Sequence, residues 1–567
     1  MTRLARKSAV CLLLLASLVM PTLSIRAQNY FDFPSPSGSF LAGQFALEGL
    51  NTGIASSALM ETAQSQWDDA GVVAQAFVAL VADGRIDESL PVARHLLELE
   101  PTNNLAKLVL ATVALKERRY ASVVTTLKDL GLSDFVDIAA TVVQAWARVG
   151  QNDLKRAFAE MDDISNGSIE GFLIFHKALM ADLAGDPSAV DLARVAYEND
   201  PFIGRIVEFY VRTLANSGRR NQALDVLDKF DAEGLVHPTV ARVRVAVEAG
   251  KAPGKYVSSI AAGAAELFQG IGVALARDGT TDMALAFLRL GLYLDPAADA
   301  TSLTIAQLFE SAERYEAAND IYRSISPDSA FYGEALVRSA ENLDSMGDRP
   351  EAIRRLRNII AVDPQNLVAI TSLGNLLRLD EQFAAAAKVY TSAIRIVGGN
   401  HPRDWRYFYL RGIANEQRGA WDQAEADFLK ALDLNPTQPQ VLNYLGYSWV
   451  DKGIHLQRAL GMIEQAVRSN PSDGYIVDSL GWAMFRLKKF DEAVRVLERA
   501  VQLNPNDPEI NDHLGDAYWR VGRRTEARFQ WNIASSVDED GKVIRRVLPK
   551  LENGLPELDD TPAATDS

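Results

Sequence analysis

The sequence predicts an all-α fold, a right-handed α-solenoid of about 13–14 antiparallel helix pairs built from 34-residue units. The first observation is that Leu445-Gly446 recurs as Leu480-Gly481 and Leu514-Gly515, 35 and then 34 residues later. The second is that two alanines, seven positions apart, follow each copy, and a proline closes two of the three units. Such a period indicates one helical unit stacked many times.

The positions of the units follow from this period. Counting back along the chain places unit starts near residues 508, 474, 439, 405, 367, 333, 299 and 265, and a weaker N-terminal frame gives 204, 170, 138, 104, 70 and 36. In the unit from 474, Val477 and Leu480 belong to one apolar stripe, and Ala493 and Leu497 to a second. Pro505 lacks an N–H and ends the second helix. Each unit is therefore predicted to be an antiparallel helix pair.

Breaks in the period divide the chain. We expect a degenerate N-terminal array over 36–237, a seam with one irregular helix over 238–264, and a C-terminal array over 265–541. The seam is placed there because the phase fails and a glycine-rich stretch, 250–254, follows a single helical segment. Residues 542–567 are short of apolar side chains and are expected to form a frayed polar tail.

The first residues have the order of a secretory signal. Arg3, Arg6 and Lys7 precede an apolar run over 9–20, and small residues lead to Ala27. We expect residues 1–27 to be a cleaved signal peptide, with 28–35 as a linker and a periplasmic mature protein. The alternative is an uncleaved inner-membrane anchor. The single cysteine, Cys11, lies inside the apolar run, so the cleaved chain would form no disulfide.

The bulk composition restricts the partners. A hydrophobic content of 48% and a charged content of 23% are ordinary for a folded protein. The formal net charge of −16 argues against nucleic acid, because binding to phosphates depends on clustered lysine and arginine. Protein or peptide partners are expected, and peripheral association with a membrane stays open.

These units resemble the tetratricopeptide repeat, whose pattern is W-x2-L-G-x2-Y, then A-x3-F, then P. The last unit carries the pattern at Asn511, Leu514, Gly515, Tyr518, Ala527 and Trp531. The stretch from Leu442 to Val537 also resembles the end of envelope-associated bacterial tetratricopeptide proteins, one kind of which is an adaptor that brings substrates to a carboxyl-terminal processing protease. The resemblance implies a non-catalytic scaffold or adaptor.

The resemblance also implies that the first helices of the units line a concave, partner-binding groove. Aromatic rings beside polar groups suit a bound peptide, because the rings bury apolar area and the polar groups pair with amides and charges. The candidate groove residues are Arg406, Tyr409, Asn443, Tyr447, Tyr475, Asp478, Trp482, Phe485, Arg486, Asp512, Asp516, Trp519 and Arg520. The alternative is that Trp482 and Phe485 pack against the next helix.

Two known variants of this repeat are disfavoured. A clamp for a C-terminal carboxylate needs Lys and Asn, whereas the matching positions carry Asn443, Asp478 and Asp512. The asparagine ladder of glycosyltransferase-linked arrays needs Asn before the Leu-Gly pair, where Tyr444 and Ser479 stand. A peptide with a free carboxylate is therefore a poor candidate ligand.

Chemistry-bearing motifs are sparse, so neither an enzyme, a cofactor nor a metal is predicted. The six histidines are scattered, with no i, i+4 pair and no cysteine partner for zinc. We expect a non-catalytic adaptor that delivers clients to a protease or to assembly machinery in the bacterial envelope. The alternatives are a membrane-anchored regulatory or assembly factor facing the periplasm and, third, a partner-activated enzyme subunit.

Overall fold

The computed structural model describes residues 35–128, 134–164, 169–539 and 541–557. The predicted signal peptide and nearly all of the linker lie outside these residues. Within them the fold is all-α, as predicted: fourteen antiparallel helix pairs and two single helices, α13 and α30, follow one another along the chain. In each pair we call the helix that comes first in the chain the first helix, and its partner the second helix.

The N-terminal array consists of six helix pairs and a single helix. Its helices are α1 Pro36–Glu48, α2 Thr52–Ser65, α3 Ala70–Ala82, α4 Ile86–Leu99, α5 Asn104–Lys116, α6 Tyr120–Thr126, α7 Phe135–Gly150, α8 Leu154–Asp162, α9 Glu170–Ala184, α10 Ala189–Asn199, α11 Gly204–Asn216, α12 Arg220–Ala232 and α13 Pro238–Glu248. The seam predicted over 238–264 contains α13, then residues 249–259 without a helix, then the start of α14.

The C-terminal array follows a helix pair, α14 Ile260–Arg277 and α15 Thr281–Leu294, that we call the inner pair. The array itself is α16 Asp299–Ser311, α17 Tyr315–Ser324, α18 Tyr332–Ser345, α19 Arg349–Val362, α20 Leu367–Leu379, α21 Phe383–Val397, α22 Trp405–Gln417, α23 Trp421–Leu434, α24 Pro439–Lys452, α25 Leu456–Ser469, α26 Gly474–Arg486, α27 Phe490–Leu503, α28 Pro508–Arg520 and α29 Arg524–Val537. A final helix, α30, spans Ile544–Asn553.

The inner pair lies against the row of first helices of the N-terminal array. Helix α14 packs on α7, with smaller contacts to α5 and α9, and α15 packs on α3, with smaller contacts to α1 and α5. Such a long-range arrangement differs from a simple stack, in which each unit touches only its neighbours. The concave face of the N-terminal array is therefore filled by the chain itself.

Specific side chains hold the inner pair in place. A Cβ on Gly263 would lie 2.2 Å from Cη2 of the buried Trp146, so only glycine permits this approach of α14 to α7. On α15, the hydroxyl of Tyr293 donates to Asp87 over 3.1 Å, and the ammonium of Lys116 lies 3.7 Å from the centre of the Tyr293 ring. The unit predicted from 265 thus begins at Ile260 and belongs to the core of the N-terminal half.

Helix α14 is also the one helix among the described residues with the length and apolar composition of a membrane span. Its apolar residues have another explanation, because Leu267, Phe268 and Ile271 are buried in the protein core. Core helices of this kind meet the same criteria of length and composition.

From α20 to α29, each pair of the C-terminal array is held by a contact between a glycine on the first helix and a large side chain on the second. A Cβ at Gly412 would lie 2.6 Å from the ring of Phe428, and a Cβ at Gly515 would lie 2.4 Å from the ring of Trp531. Gly374 stands against Tyr390 in the same way. These glycines are the ones in the Leu-Gly positions of the repeat, so the motif marks a steric requirement.

The C-terminal segment corrects the sequence prediction. Residues 542–567 were expected to be a frayed tail, whereas α30 packs on α29 and buries Val547 completely. Arg546 lies 34 positions after Asp512, and Lys550 lies 34 positions after Asp516. Helix α30 therefore occupies the place of one more first helix, and its Arg546 and Lys550 are paired with carboxylates of α28.

The glycine contact of the inner pair gives a test. We expect Gly263→Ala to lower the midpoint of denaturant unfolding, with a loss of about 1–3 kcal/mol from overpacking against Trp146. Gly461→Ala is the matched control, since a Cβ there meets nothing within 4 Å in helix α25, and alanine should raise helix stability by up to about 1 kcal/mol. Far-ultraviolet circular dichroism follows both variants, and equal midpoints would contradict the packing.

Candidate protein-binding groove

The candidate site is the concave face formed by the first helices of the C-terminal array. The thirteen predicted groove residues fall into three classes of exposure. Arg406 and Tyr475 are exposed. Asp478, Asp512 and Asp516 are buried. The others are half-buried: Tyr409, Asn443, Tyr447, Trp482, Phe485, Arg486, Trp519 and Arg520.

The three buried aspartates are not free groove residues. Asp478 accepts a hydrogen bond at 3.0 Å from Nδ1 of His513 on the next first helix. Asp512 pairs with Arg546 at 2.6 Å and with Lys550 at 2.7 Å, and Lys550 also lies 2.7 Å from Asp516. Sequence reasoning placed Asp512 and Asp516 in the groove because it took α28 as the last first helix, and it did not foresee that His513 of α28 would cover Asp478. Their actual role is to join α26, α28 and α30.

Two further predicted residues contact the same C-terminal segment. The ring of Trp519 packs against Gly554, where a Cβ would lie 1.9 Å from the ring. Arg520 donates to the carbonyl of Pro556 over 2.8 Å. The groove of the last unit is thus engaged by residues 544–556, and the accessible part of the concave face begins at α26.

His513 is the titratable link in this chain of charges. Its Nε2 lies 3.6 Å from Glu509, which in turn pairs with Arg546 at 2.9 Å. Burial lowers the pKa of His513. The hydrogen bond and negative charge of Asp478 and the negative charges of Glu509 and Asp512 outweigh this effect, so the pKa of His513 lies above its ordinary value. The protonated imidazole therefore stabilises the junction of α26 and α28.

A cluster of aromatic rings occupies the groove next to this network. The Trp482 ring stacks between Phe485, at a centroid distance of 4.8 Å, and His513, at 4.1 Å. Trp482 therefore packs on His513 of α28 and Phe485 packs on Phe490 of α27, as the alternative predicted, and a binding role for the two half-buried rings stays a prediction. The indole Nε1 of Trp482 is a buried donor without a hydrogen-bond partner. Oδ1 of Asn443 is a buried acceptor that also lacks a partner.

A second aromatic group lies one unit earlier. Tyr409 meets Tyr444 edge-on at 5.8 Å, and the Tyr444 hydroxyl donates to Glu416 over 2.7 Å. Ser448 donates to the other oxygen of Glu416 over 3.0 Å. Tyr444 stands where an asparagine ladder would need Asn, and it instead ties α24 to α22.

The far end of the concave face carries an acidic group that sequence reasoning missed. Glu310 lies on α16, and Glu334 and Glu341 on α18, with Arg338 as the cation 3.9 Å from Glu341. Burial raises the pKa of both Glu310 and Glu334, and the neighbouring carboxylates add to that rise. The sequence did contain a signal for this acidic group. Glu310, Glu334 and Glu341 occupy the same repeat positions in their units as Phe485, Tyr475 and Trp482, respectively.

The helical geometry and two family comparisons agree on what these units are. A family model described as tetratricopeptide repeat matches residues 380–439, and one described as TPR repeat matches residues 481–522. The chain therefore contains tetratricopeptide repeats. Over 198 residues it is 26% identical to TPR repeat-containing protein PA4667 of Pseudomonas aeruginosa, a match that covers 35% of this chain and 33% of that relative's length.

Solved structures similar to this chain include the following three proteins. The Cut9-Hcn1 hetero-tetramer of the APC/C is 13% identical, with 92% of this chain and 96% of that chain covered and a TM-score of 0.39. A tetratricopeptide repeat protein from Parabacteroides merdae is 15% identical over 45% of this chain and 99% of its own, with a TM-score of 0.38. YrrB, described as having an unusual peptide-binding site, is 18% identical over 34% and 97%, with a TM-score of 0.27.

Metal-ligating side chains are scattered in the ranges that the structure describes. No three His, Cys, Asp or Glu side chains there are grouped to hold a metal ion. His513 contacts carboxylates on both sides and carries a structural charge, so no general base stands beside a nucleophile at this position.

The raised pKa of His513 predicts how stability depends on pH in the C-terminal tetratricopeptide units. A group whose pKa is raised in the folded state contributes its full stabilisation at a pH below its pKa in the unfolded chain, which is near 6.5 for histidine. This stabilisation is lost as the pH rises through the pKa of the group in the folded state. We expect the thermal midpoint to fall over that interval. Asp478→Asn should flatten this fall, because the imidazolium then lacks its nearest counter-charge. Parallel curves for the variant and the unmodified chain would contradict the assignment.

Proposed function

We propose that this protein is a non-catalytic scaffold or adaptor that binds a protein segment along the concave face of its C-terminal array. The observation that carries the proposal is the contrast between the two halves. The inner pair fills the concave face of the N-terminal array, whereas from α18 to α26 each described helix packs on helices nearby in the chain. A groove with no helix of its own chain packed into it is the surface on which an array of this kind binds partners.

The groove residues specify what such a segment would contain. Half-exposed rings at Tyr409, Tyr447, Trp482 and Phe485 suit apolar or aromatic side chains, which contribute most of the energy in protein interfaces. At the other end, Glu310, Glu334 and Glu341 outnumber Arg338 and favour lysine or arginine. The partner is therefore a segment with a basic part and an apolar part, lying across α16 to α26.

Photo-crosslinking tests this proposal. A photoreactive phenylalanine at Tyr475, which is 60% exposed on a first helix, should capture a defined partner, whereas the same group at Phe529, 64% exposed on a second helix, should not. Glu334→Lys should reduce that capture about tenfold by opposing the basic part of the partner. Asp491→Lys is the matched charge reversal, on second helix α27. Equal capture at both positions, or equal loss in both reversals, would overturn the groove assignment.

We further propose that the protein acts in the bacterial cell envelope after export. The support is the order of the first 27 residues, with basic residues, an apolar run and a small residue at position 27. In that compartment the adaptor would deliver clients to a protease or to assembly machinery. The residues that would distinguish a cleaved signal peptide from a membrane anchor lie before α1 in the sequence. The helical array is therefore compatible with either a released or an anchored protein.

The N-terminal sequence of the protein purified from envelope fractions tests the export proposal. A chain that begins at Gln28 and is released with the periplasmic fraction is the expected result. A chain that retains Met1 and sediments with the inner membrane would overturn cleavage and identify the anchored form. A chain recovered with Met1 from the cytosol would overturn export itself.

A further inference from the structure

A cleft of about 450 Å³ lies where the two arrays meet, away from the concave groove. One wall consists of the N-terminal ends of α7, α9, α11 and α13, and the other is the face of α14 that carries Gly270, Val273 and Ala274. Phe331, just before α18, also borders it. The volume is within the range of roughly 300–1,000 Å³ that is typical of small-molecule sites.

The lining of the cleft is mostly apolar. The large apolar side chains in its wall are Phe135, Ile138, Ile169, Phe172, Ile203 and Ile271. Ile203 is 41% exposed in the free protein. An apolar occupant would remove this surface from water, which is the main source of binding energy for such ligands.

The charged groups inside the wall are held in ion pairs, and Arg277 at the rim is exposed to solvent. Nη1 of Arg205 lies 2.9 Å from Glu266, and the Tyr256 hydroxyl donates to the second oxygen of Glu266 over 3.3 Å. Glu208 pairs with Arg212 at 2.7 Å. Burial raises the pKa of Glu266, although Arg205 opposes that rise. Inside the cleft a charged ligand would meet no free counter-ion, since Arg277 lies at the exposed rim, and it would lose its hydration, so a neutral ligand is favoured.

One polar atom of the wall lacks a partner. Oε1 of Gln269 is buried without a hydrogen bond, while Nε2 of the same amide donates to Thr304 over 3.0 Å. The Thr304 hydroxyl donates to the carbonyl of Ala300 over 3.0 Å, so it must accept from Gln269, and this fixes the orientation of the amide. A buried acceptor of this kind gains from any N–H or O–H that reaches it.

We propose that this cleft binds a small, neutral, largely apolar molecule that donates one hydrogen bond to Oε1 of Gln269. The molecule would contact α7, α9 and α11 of the N-terminal array, the inner pair, and Phe331 at the start of the C-terminal array. It would thus bind at the junction that sets the position of the groove-bearing array. This site is separate from the groove proposed above, and its failure would leave that proposal untouched.

Titration of the full chain with N-phenyl-1-naphthylamine tests the site, because this fluorophore is neutral, apolar and carries one N–H. We expect saturable binding that Ala274→Trp weakens at least about tenfold by filling the cleft from α14. Gln269→Leu should weaken it about fivefold by removing the acceptor at similar volume. Ala121→Trp, on an exposed position of α6, is the matched control and should leave the affinity unchanged. The thermal midpoint of each variant verifies folding.

Competition identifies the chemical class of the ligand. 1-Dodecanol, which is neutral and has one O–H donor, should displace the fluorophore from the unmodified chain better than dodecanoate, its anionic counterpart. More effective displacement by dodecanoate would overturn the neutral class and point to the exposed Arg277 at the rim. Equal fluorophore affinity in the unmodified chain, Ala274→Trp and Gln269→Leu would overturn the site itself.

Discussion

The close approach of the two helices in each unit from α20 to α29 is the constraint on which this part of the array depends. Gly374, Gly412 and Gly515 each stand against a ring of the second helix at a distance that leaves no room for a Cβ. At Gly446 and Gly481 the opposing residues are Ile463 and Leu497. Because the ring or aliphatic chain fills the space that a side chain would need, the pair becomes a compact element with fixed width. Units of fixed width stack at a constant angle, and that regularity produces a continuous concave face.

The two halves use this face differently. In the N-terminal half the occupant belongs to the same chain, and the fit is as close as a core contact, as Gly263 against Trp146 shows. In the C-terminal half the face carries half-exposed rings near α26 and partly desolvated carboxylates near α16. Exposed rings and underpaired carboxylates both reduce stability in the free protein. Such groups are characteristic of a surface that is completed by a partner.

The sequence was sufficient to predict the repeat units, but not to predict which helices cover their concave face. The predicted starts at 474 and 508 coincide with the first residues of α26 and α28, because glycine, alanine and proline mark the contacts that define a unit. The burial of Asp478 and Asp512 could not be predicted from their repeat positions. Those positions face a groove only when the next first helix leaves them uncovered. Helix α30 lacks the Leu-Gly motif, and only the 34-residue offset from Asp512 to Arg546 marks it. The docking of the inner pair depends on contacts more than a hundred residues apart, which a local period does not contain.

The inner pair also sets the order in which the chain can fold. Most repeat arrays form by local contacts between neighbouring units and can begin at any point. Here the hydroxyl of Tyr293 bonds to Asp87, 206 residues earlier, so the N-terminal half reaches its native state only after residues up to 294 have been made. Until then its concave row of first helices presents apolar surface without its occupant, for the whole time that the ribosome needs to add the inner pair. A protein of local repeats thereby acquires the high contact order, and the exposure to aggregation during synthesis, of a globular domain.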